Sequence, residues 1–146
     1  MDHRGWTSRV LDATYDVKQG TDGLEKTLDR LAAEASAAVA DGVACVVISD
    51  RAQGPDRVAV SSLLSCGAVH HHLVQKLERT RVAILLDSAE ARDVHHFCAL
   101  TGFGADGVCP YLAIESVGML RADNLVPNAP GSDLSLIHIS EPTRPY

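Results

Sequence analysis

The fold is decided by residues 61–112, SSLLSCGAVHHHLVQKLERTRVAILLDSAEARDVHHFCALTGFGADGVCPYL. Helical and strand-like patterns alternate along this stretch, and they predict elements over residues 62–77, 82–86, 91–101, 107–109 and 111–120. A continuously apolar and β-branched segment, residues 43–48, precedes them and predicts a strand buried on both faces. Successive strand-then-helix units are typical of parallel strands with crossover helices, so we predict an α/β fold.

A long amphipathic helix is expected before this stretch. Five apolar residues share one helical stripe: Leu24, Leu28, Leu31, Ala35 and Val39. Asp22 and Glu25 have the spacing of a capping box, and Gly42 suits the left-handed residue that ends a helix. We expect a short strand over residues 9–14 and loops over residues 15–20 and 52–60.

The next two helices have predicted core faces. These are Leu63, Cys66, His70, Leu73 and Leu77 on the first helix, and Ala91, Val94, Cys98 and Thr101 on the second. Ser61 or Ser62 is expected to cap the first helix and Ser88 the second, since serine hydroxyls accept hydrogen bonds from unpaired amides. Gly102 should end the second helix, and Pro110 should begin the last one.

Length and charge narrow the possible functions. A chain of 146 residues supports one domain core. The formal net charge of -6, without a run of Lys or Arg, predicts no nucleic-acid partner. The apolar runs are too short to span a membrane, so no membrane partner is expected. The opening MDHRGW has no apolar region behind its arginine and does not resemble a secretory signal.

The four cysteines predict a reduced, intracellular and soluble protein. Cys45, Cys66, Cys98 and Cys109 each lie in an apolar string, and no Cys-x-x-Cys pair occurs. We therefore expect buried thiols rather than disulfides or metal ligands.

Two histidine clusters, His70-His71-His72 and His95-His96, are the first candidates for chemistry. Consecutive helical side chains point about 100° apart, so the triplet does not converge on one metal ion. The His-x-x-x-His spacing of zinc helices does not occur. A site joining His70 or His72 with His95 or His96 across two helices would make the protein a small metal enzyme, and packed or hydrogen-bonded histidines are the alternative.

Residues at the predicted strand ends form a second candidate site. They are Ser49, Asp50, Arg51, Asp87, Ser88, Glu90 and Arg92. The carboxyl ends of parallel strands share one sheet edge, where α/β proteins bind their ligands. These residues indicate either an acid-base or anion-binding site, or a network of ion pairs and helix caps that holds the loops.

Residues 102–107, Gly102-Phe-Gly-Ala-Asp-Gly107, have the spacing of a dinucleotide-binding fingerprint. A helix precedes them and a strand follows, which reverses the context that the fingerprint needs. We interpret the glycines as a helix end and a tight turn.

Four strings resemble one family in unbroken order, from about residue 11 to about residue 127. They are Ile48-Ser-Asp-Arg51, Val69-His-His-His-Leu73, Glu90-Ala-Arg-Asp-Val-His-His-Phe97 and Gly102-Phe-Gly-Ala-Asp-Gly-Val-Cys-Pro-Tyr-Leu-Ala113. This order resembles the central domain of the glutamate synthase large chain, in its plant, algal and fungal type.

The resemblance implies an enzyme of ammonia assimilation. Glutamate synthase is an oxidoreductase that makes two L-glutamate from L-glutamine and 2-oxoglutarate, with electrons from ferredoxin or NAD(P)H. Family members join a cysteine amidotransferase, a central domain, a barrel that holds FMN and an iron-sulfur cluster, and a β-helix. The central domain is implied to be a partial (β/α) barrel that links the amidotransferase and FMN domains.

The resemblance also implies what this chain itself does. We expect it to hold no catalytic residue, cofactor or metal ion, and the seven strand-end residues become candidates for a domain interface or the ammonia route. A stand-alone binding or interaction module is the alternative, whereas exposed strand edges or a large apolar patch would favour an internal fragment.

The expected organisation has three parts. Residues 1–8 form a disordered start, residues 9–127 part of the central domain, and residues 128–146 an irregular tail. The end of that tail, residues 134–146, resembles translated sequencing-adapter sequence. The expected compartment is the cytoplasm or a plastid.

Overall fold

The structure is a computed structural model that describes residues 6–123. In chain order its strands and α-helices are β1 Ser8–Asp12, β2 Thr14–Asp16, α1 Gly20–Ala40, β3 Cys45–Ser49, β4 Arg57–Ala59, α2 Ser62–Gln75, β5 Ala83–Asp87, α3 Val94–Gly102, β6 Gly107–Cys109 and α4 Tyr111–Ala122. Short 3-10 turns lie at Val17–Gln19 and Arg79–Arg81. The disordered start was expected over residues 1–8. Its first five residues lie outside the described residues, as does the irregular tail with its adapter-derived end, whereas Ser8 begins β1.

The strands of the main sheet are parallel, and their order across the sheet is their order along the chain. Its strands are arranged β1-β3-β5-β6, and Ser8, Cys45 and Ala83 lie beside one another at its lower end. The helices α1, α2 and α3 connect successive strands of this sheet. The predicted α/β fold with parallel strands and crossover helices is confirmed.

One face of the main sheet forms the core. Its side chains Val46, Ile48, Ile84 and Leu86 are buried in one cluster with residues of α1 and α2. The opposite face, which we call the open face, carries Val10, Val47 and Leu85 side by side. Val10 is 65% exposed, and Val47 and Leu85 are only half-buried. The expectation that residues 43–48 are buried on both faces is therefore wrong, because no described element fully covers the open face.

A separate two-stranded sheet formed by β2 and β4 lies largely where loops were predicted, although Thr14 fell within the strand expected over residues 9–14. The two strands are antiparallel, with Tyr15 opposite Val58. Arg57 joins them to the main sheet, because its Nη2 lies 2.6 Å from Asp12 Oδ2 and its Nε 2.8 Å from Thr14 Oγ1. Strands of three residues held by polar side chains have no hydrophobic alternation to reveal them.

The predicted stripe of α1 is correct in its second half, where Leu31, Ala35 and Val39 are buried. In the first half Leu24 and Leu28 are half-buried, and Gly23 and Thr27 face the core instead. The Tyr15 ring covers Gly23 so closely that a Cβ would collide with it.

The ends of α1 give one correct and one wrong prediction. The N-cap residue is Gln19 and makes no side-chain cap hydrogen bond, so the capping box of Asp22 and Glu25 is wrong. Gly42 has a φ of +72°, which confirms the left-handed residue after the helix.

The core face of α2 is largely as predicted, with Cys66 and Leu73 fully buried. The helix ends at Gln75, however, and Leu77 is 88% exposed. The predicted stripe of α3 is wrong for Val94, Cys98 and Thr101, which are exposed.

Phe97 and Leu100 turn to the core from α3 instead. The expected burial of all four cysteines is also wrong, since Cys98 and Cys109 are exposed.

None of the described helices has the length and apolar character needed to cross a membrane.

Candidate functional site

The carboxyl ends of β3 and β5 bring Ser49, Arg51 and Asp87 together. Ser49 lies beside Asp87 in the sheet, and its hydroxyl donates to Asp87 Oδ2 at 3.1 Å. Arg51 holds the same carboxylate with two nitrogens, Nε at 2.6 Å from Oδ2 and Nη2 at 3.2 Å from Oδ1. The hydrogen bond to Asp87 raises the pKa of Arg51, so this guanidinium stays charged and engaged.

Arg51 also ties this edge to α4. Its guanidinium carbon lies 3.9 Å from the centre of the Tyr111 ring, and its Nη1 lies 3.6 Å from Glu115 Oε1. Gln53 Nε2 donates to the Tyr111 hydroxyl at 3.2 Å. Tyr111 was not a predicted site residue, although its position just after β6 places it on the edge where strands β3 and β5 end.

Asp50 lies beneath these groups and is only 4% exposed. Its Oδ2 accepts a hydrogen bond from the Ala89 amide at 2.9 Å, whereas its Oδ1 accepts none from the described residues. The Tyr111 hydroxyl lies beside this carboxylate. Burial, followed by the influence of Asp50, raises the pKa of Tyr111, so the phenol keeps its proton at neutral pH.

Ser88 and Glu90 hold the start of α2. Glu90 Oε2 accepts from the Ser62 amide at 2.8 Å, and Ser88 Oγ lies 2.5 Å from Ser62 Oγ. Ser61 occupies the N-cap position as predicted, but its side chain makes no cap hydrogen bond. A distant carboxylate therefore provides the cap that was expected from a serine.

The predicted capping of α3 by Ser88 is wrong. Asp93 occupies the N-cap position, and its side chain accepts from the His96 amide at 3.2 Å. The hydrogen bond from that amide lowers the pKa of Asp93. Ser88 instead accepts from the Glu90 amide at 3.0 Å, a turn contact within the loop.

Arg92 lies apart from the Asp87 cluster, on the rim of a groove between α2 and α3. Ser49, Asp50, Arg51 and Asp87 thus meet at one place, while Ser88, Glu90 and Arg92 lie along the following loop. Within residues 6–123 the carboxylates of Asp87 and Glu90 are engaged by donors of the chain itself. Ser49 donates to Asp87, but Arg51 already pairs with that carboxylate, and Ser88 contacts Ser62 and the Glu90 amide. The contacts are therefore those of loop and helix anchoring.

His70 belongs to a separate cluster at the other end of the sheet. Its Nδ1 accepts from Arg79 Nε at 3.0 Å, and Arg79 Nη2 lies 2.7 Å from Asp106 Oδ2. Burial, followed by the positive charge of Arg79, lowers the pKa of His70. The imidazole is therefore a neutral acceptor that helps fix the loop before β6.

His72 joins α2 to α1. Its Nε2 lies 3.0 Å from Ser36 Oγ, and the Ser36 hydroxyl donates to Glu78 Oε2 at 2.8 Å. Because its proton is directed at Glu78, Ser36 is not activated by the histidine. In the part of the chain that the structure describes, no three His, Cys, Asp or Glu side chains meet as metal ligands. The cross-helix site considered from the sequence is not formed there.

Two of the helix N-termini and the buried cysteine are poorly suited to hold a flavin phosphate or an iron-sulfur cluster. The N-termini of α2 and α3, where a phosphate would find unpaired amides, already hold the carboxylates of Glu90 and Asp93. Cys66 is buried, and burial raises its pKa to about 11, which disfavours the thiolate that an iron ligand requires.

Fold and edge together define an α/β domain of the partial-barrel class, with a helix-covered face, an open apolar face and a carboxyl edge closed by ion pairs. A sequence profile described as "Glutamate synthase central domain" matches residues 1–138. The chain belongs to this family, whose members are domains within the larger glutamate synthase enzyme.

Individual relatives agree with the family match. The chain is 41% identical over 123 residues to Glutamate synthase [NADH] of Saccharomyces cerevisiae, and 44% identical over 119 residues to Glutamate synthase [NADH] of Schizosaccharomyces pombe. It is 40% identical over 124 residues to the ferredoxin-dependent, chloroplastic glutamate synthase of Spinacia oleracea. The matches cover 84%, 82% and 83% of this chain, but only 6%, 6% and 8% of the relatives' length.

Proposed function

We propose that the chain is an internal segment of a glutamate synthase, the oxidoreductase that makes two L-glutamate from L-glutamine and 2-oxoglutarate. In that enzyme it links the amidotransferase and FMN domains and helps line the route of ammonia, without catalysing a step itself. Family membership and the glutamate synthase relatives support the identity of the parent enzyme.

The open face of the main sheet is the observation that carries the proposal. A groove of about 340 Å³ runs along it, lined by Val47, Leu85 and Val108 among others. Parallel sheets of soluble proteins are covered on both faces, so this face suits a contact with another part of a larger polypeptide. It counts against a stand-alone module with a closed surface, and the separated histidines count against a small metal enzyme.

The contacts at the carboxyl edge suit residues that line the route of ammonia without reacting with it. Arg51 neutralises Asp87, and the start of α2 holds Glu90, so the charges of both carboxylates are compensated inside the domain. A wall with compensated charges does not trap ammonium through an unpaired carboxylate. The seven strand-end residues are accordingly our candidates for a domain interface or a lining of the ammonia route.

FMN and the iron-sulfur cluster would lie in other domains of the parent enzyme. Its electron donor is ferredoxin or a nicotinamide cofactor, since relatives of both kinds match. We place the parent in the cytoplasm or a plastid.

A direct experiment assays the purified 146-residue chain for glutaminase activity and for a flavin absorbance. We expect a colourless protein that does not hydrolyse glutamine. A yellow protein, or one that releases ammonia from glutamine, would overturn the proposal that this segment binds no flavin and catalyses no step.

The coupling role needs the complete enzyme. We expect Asp87→Ala in the parent to release Arg51 and loosen the wall, so that glutamine is still hydrolysed but less of its nitrogen appears in glutamate. The ratio of ammonia released to glutamate formed measures this leak. An unchanged ratio would show that the carboxyl edge does not line the ammonia route. Asp29→Ala, on the exposed side of α1, is the control.

A further inference from the structure

The groove between α2 and α3 is separate from the open face and from the Asp87 cluster. It has a volume of about 370 Å³, within the usual range for small-molecule sites. Its floor is apolar and consists of Leu63, Ala91, Ala99 and Leu100. Ala91 and Leu100 are buried members of the core, so this floor is part of the rigid domain.

The rim of the groove carries one uncommitted positive charge. The Arg92 guanidinium makes no hydrogen bond or ion pair with any residue between 6 and 123, although its backbone amide donates to His96 Nδ1 at 3.1 Å. The two carboxylates nearby are both committed to helix amides, Glu90 to Ser62 and Asp93 to His96. Both carboxylates keep their negative charge, which is partly offset because each lies at the positive end of a helix dipole. The guanidinium is therefore the charged group of this rim whose donors have no partner among residues 6–123.

His96 adds a second donor on the same rim. Because its Nδ1 accepts the Arg92 amide, the neutral ring carries its proton on Nε2. That nitrogen lies 3.7 Å from Asp93 Oδ2, which is too far for a hydrogen bond. The Nε2 proton is thus available to an acceptor in the groove.

We propose that this groove binds a small carboxylic acid with an aliphatic body. The carboxylate would pair with the planar guanidinium of Arg92, which suits two-point binding, and would accept from His96 Nε2. The apolar body would lie on Leu63 and Ala99, where it displaces water from an apolar floor. Glu90 and Arg92 are also among the seven candidate interface residues, but binding of the acid to the isolated chain needs neither a neighbouring domain nor ammonia.

The test is a nuclear magnetic resonance titration of the full 146-residue chain with 4-methylpentanoate. We expect saturable shifts of the amide and side-chain signals of Arg92, His96 and Ala99. The neutral analogue 4-methylpentanamide keeps the body and removes the charge, and we expect it to bind roughly tenfold more weakly.

Two variants separate the charge from the floor. Arg92→Met keeps an apolar stem without the charge, and it should weaken binding of the acid roughly tenfold while leaving binding of the amide unchanged. Arg81→Met is the matched control, because Arg81 is also exposed and lies at the other end of the sheet. Ala99→Leu should fill the groove and abolish binding of both probes, whereas Ala37→Leu on the exposed side of α1 should not.

The outcomes distinguish a specific binding site from non-specific binding to an apolar surface. Equal binding of acid and amide, or equal loss in the Arg92 and Arg81 variants, would overturn the proposal. So would shifts confined to Val47 and Leu85, which would assign the probe to the open face instead. Absence of saturable shifts in the unmodified chain would overturn it as well.

Discussion

The Glu90 carboxylate caps helix α2 from 28 residues away, with its Oε2 2.8 Å from the amide nitrogen of Ser62. The contact joins the loop after β5 to the start of the helix before that strand. It satisfies an amide that the helix itself leaves unpaired and places a negative charge at the positive end of the helix dipole.

Loss of this cap should weaken the domain. We expect Glu90→Ala to lower the free energy of unfolding by about 0.5–2 kcal/mol, the usual cost of removing an N-cap acceptor. Glu90→Gln keeps an acceptor oxygen and should cost less. Urea denaturation followed by circular dichroism measures both, with Glu25→Ala on the exposed surface of α1 as control. Equal losses in the Glu90 and Glu25 alanine variants would show that the contact contributes nothing specific.

His70 should make stability depend on pH. Burial and the Arg79 charge lower its pKa in the folded state, so the unfolded chain takes up the proton first as pH falls. The stabilising contribution is fully present above the unfolded value of about 6.5 and is lost as pH falls from there through the lowered folded pKa. Asp106 acts in a more acidic window, because its lowered pKa adds stability above about pH 4 that is lost below it.

The variant His70→Asn keeps an acceptor for Arg79 and does not titrate. We expect its unfolding free energy to vary less between pH 7 and pH 5 than that of the unmodified chain. Urea midpoints at several pH values measure the slope, with the exposed His95→Asn as control. Parallel slopes in all three proteins would refute the assignment.

Gly104 should tolerate no side chain. Its φ of +107° is strained for other residues, and a Cβ there would collide with the His70 imidazole. We expect Gly104→Ala to lose about 1–3 kcal/mol from backbone strain alone. Gly118 in α4 has open space around its Cβ position, so Gly118→Ala should instead gain about 0.5–1 kcal/mol. Thermal unfolding of the two variants compares them directly.

The cysteines should react with a thiol reagent in a defined order. Cys98 is exposed and should react first. Cys109 is also exposed, but burial and then the Asp87 carboxylate raise its pKa, so its thiolate is scarcer and it should react more slowly. Cys66 should react only on unfolding, since its pKa is about 11 and it is buried. Mass spectrometry of timed labelling reactions gives the order.

The hydrophobic pattern predicted the elements whose burial depends on their own sequence. Residues 43–48 and 82–86 correspond to β3 and β5 within one or two positions, because a run of branched apolar residues needs a sheet interior. The second half of α1 was also predicted correctly, because its apolar residues recur at helical spacing and pack into the core. The pattern did not reveal the open face, since whether an apolar face is covered depends on elements elsewhere in the polypeptide.

The site was predicted less completely because its contacts are made between distant residues. The sequence placed Asp87 and Arg51 on one edge, but Tyr111 reaches them only through the turn after β6. The capping predictions failed for a similar reason, since Glu90 replaced a local serine at α2. Local propensity ranks candidates for a cap, whereas the folded chain selects the carboxylate that arrives with the best geometry.

The order β1-β3-β5-β6 has a consequence for how the protein is made. As the nascent chain leaves the ribosome, each new strand of the main sheet finds its neighbour already synthesised on one side, and no earlier strand has to be moved to admit it. The strands of the sheet can therefore pair one after another during translation, in the order of their synthesis. Each connecting helix can pack on the two strands that it joins once the second strand has paired.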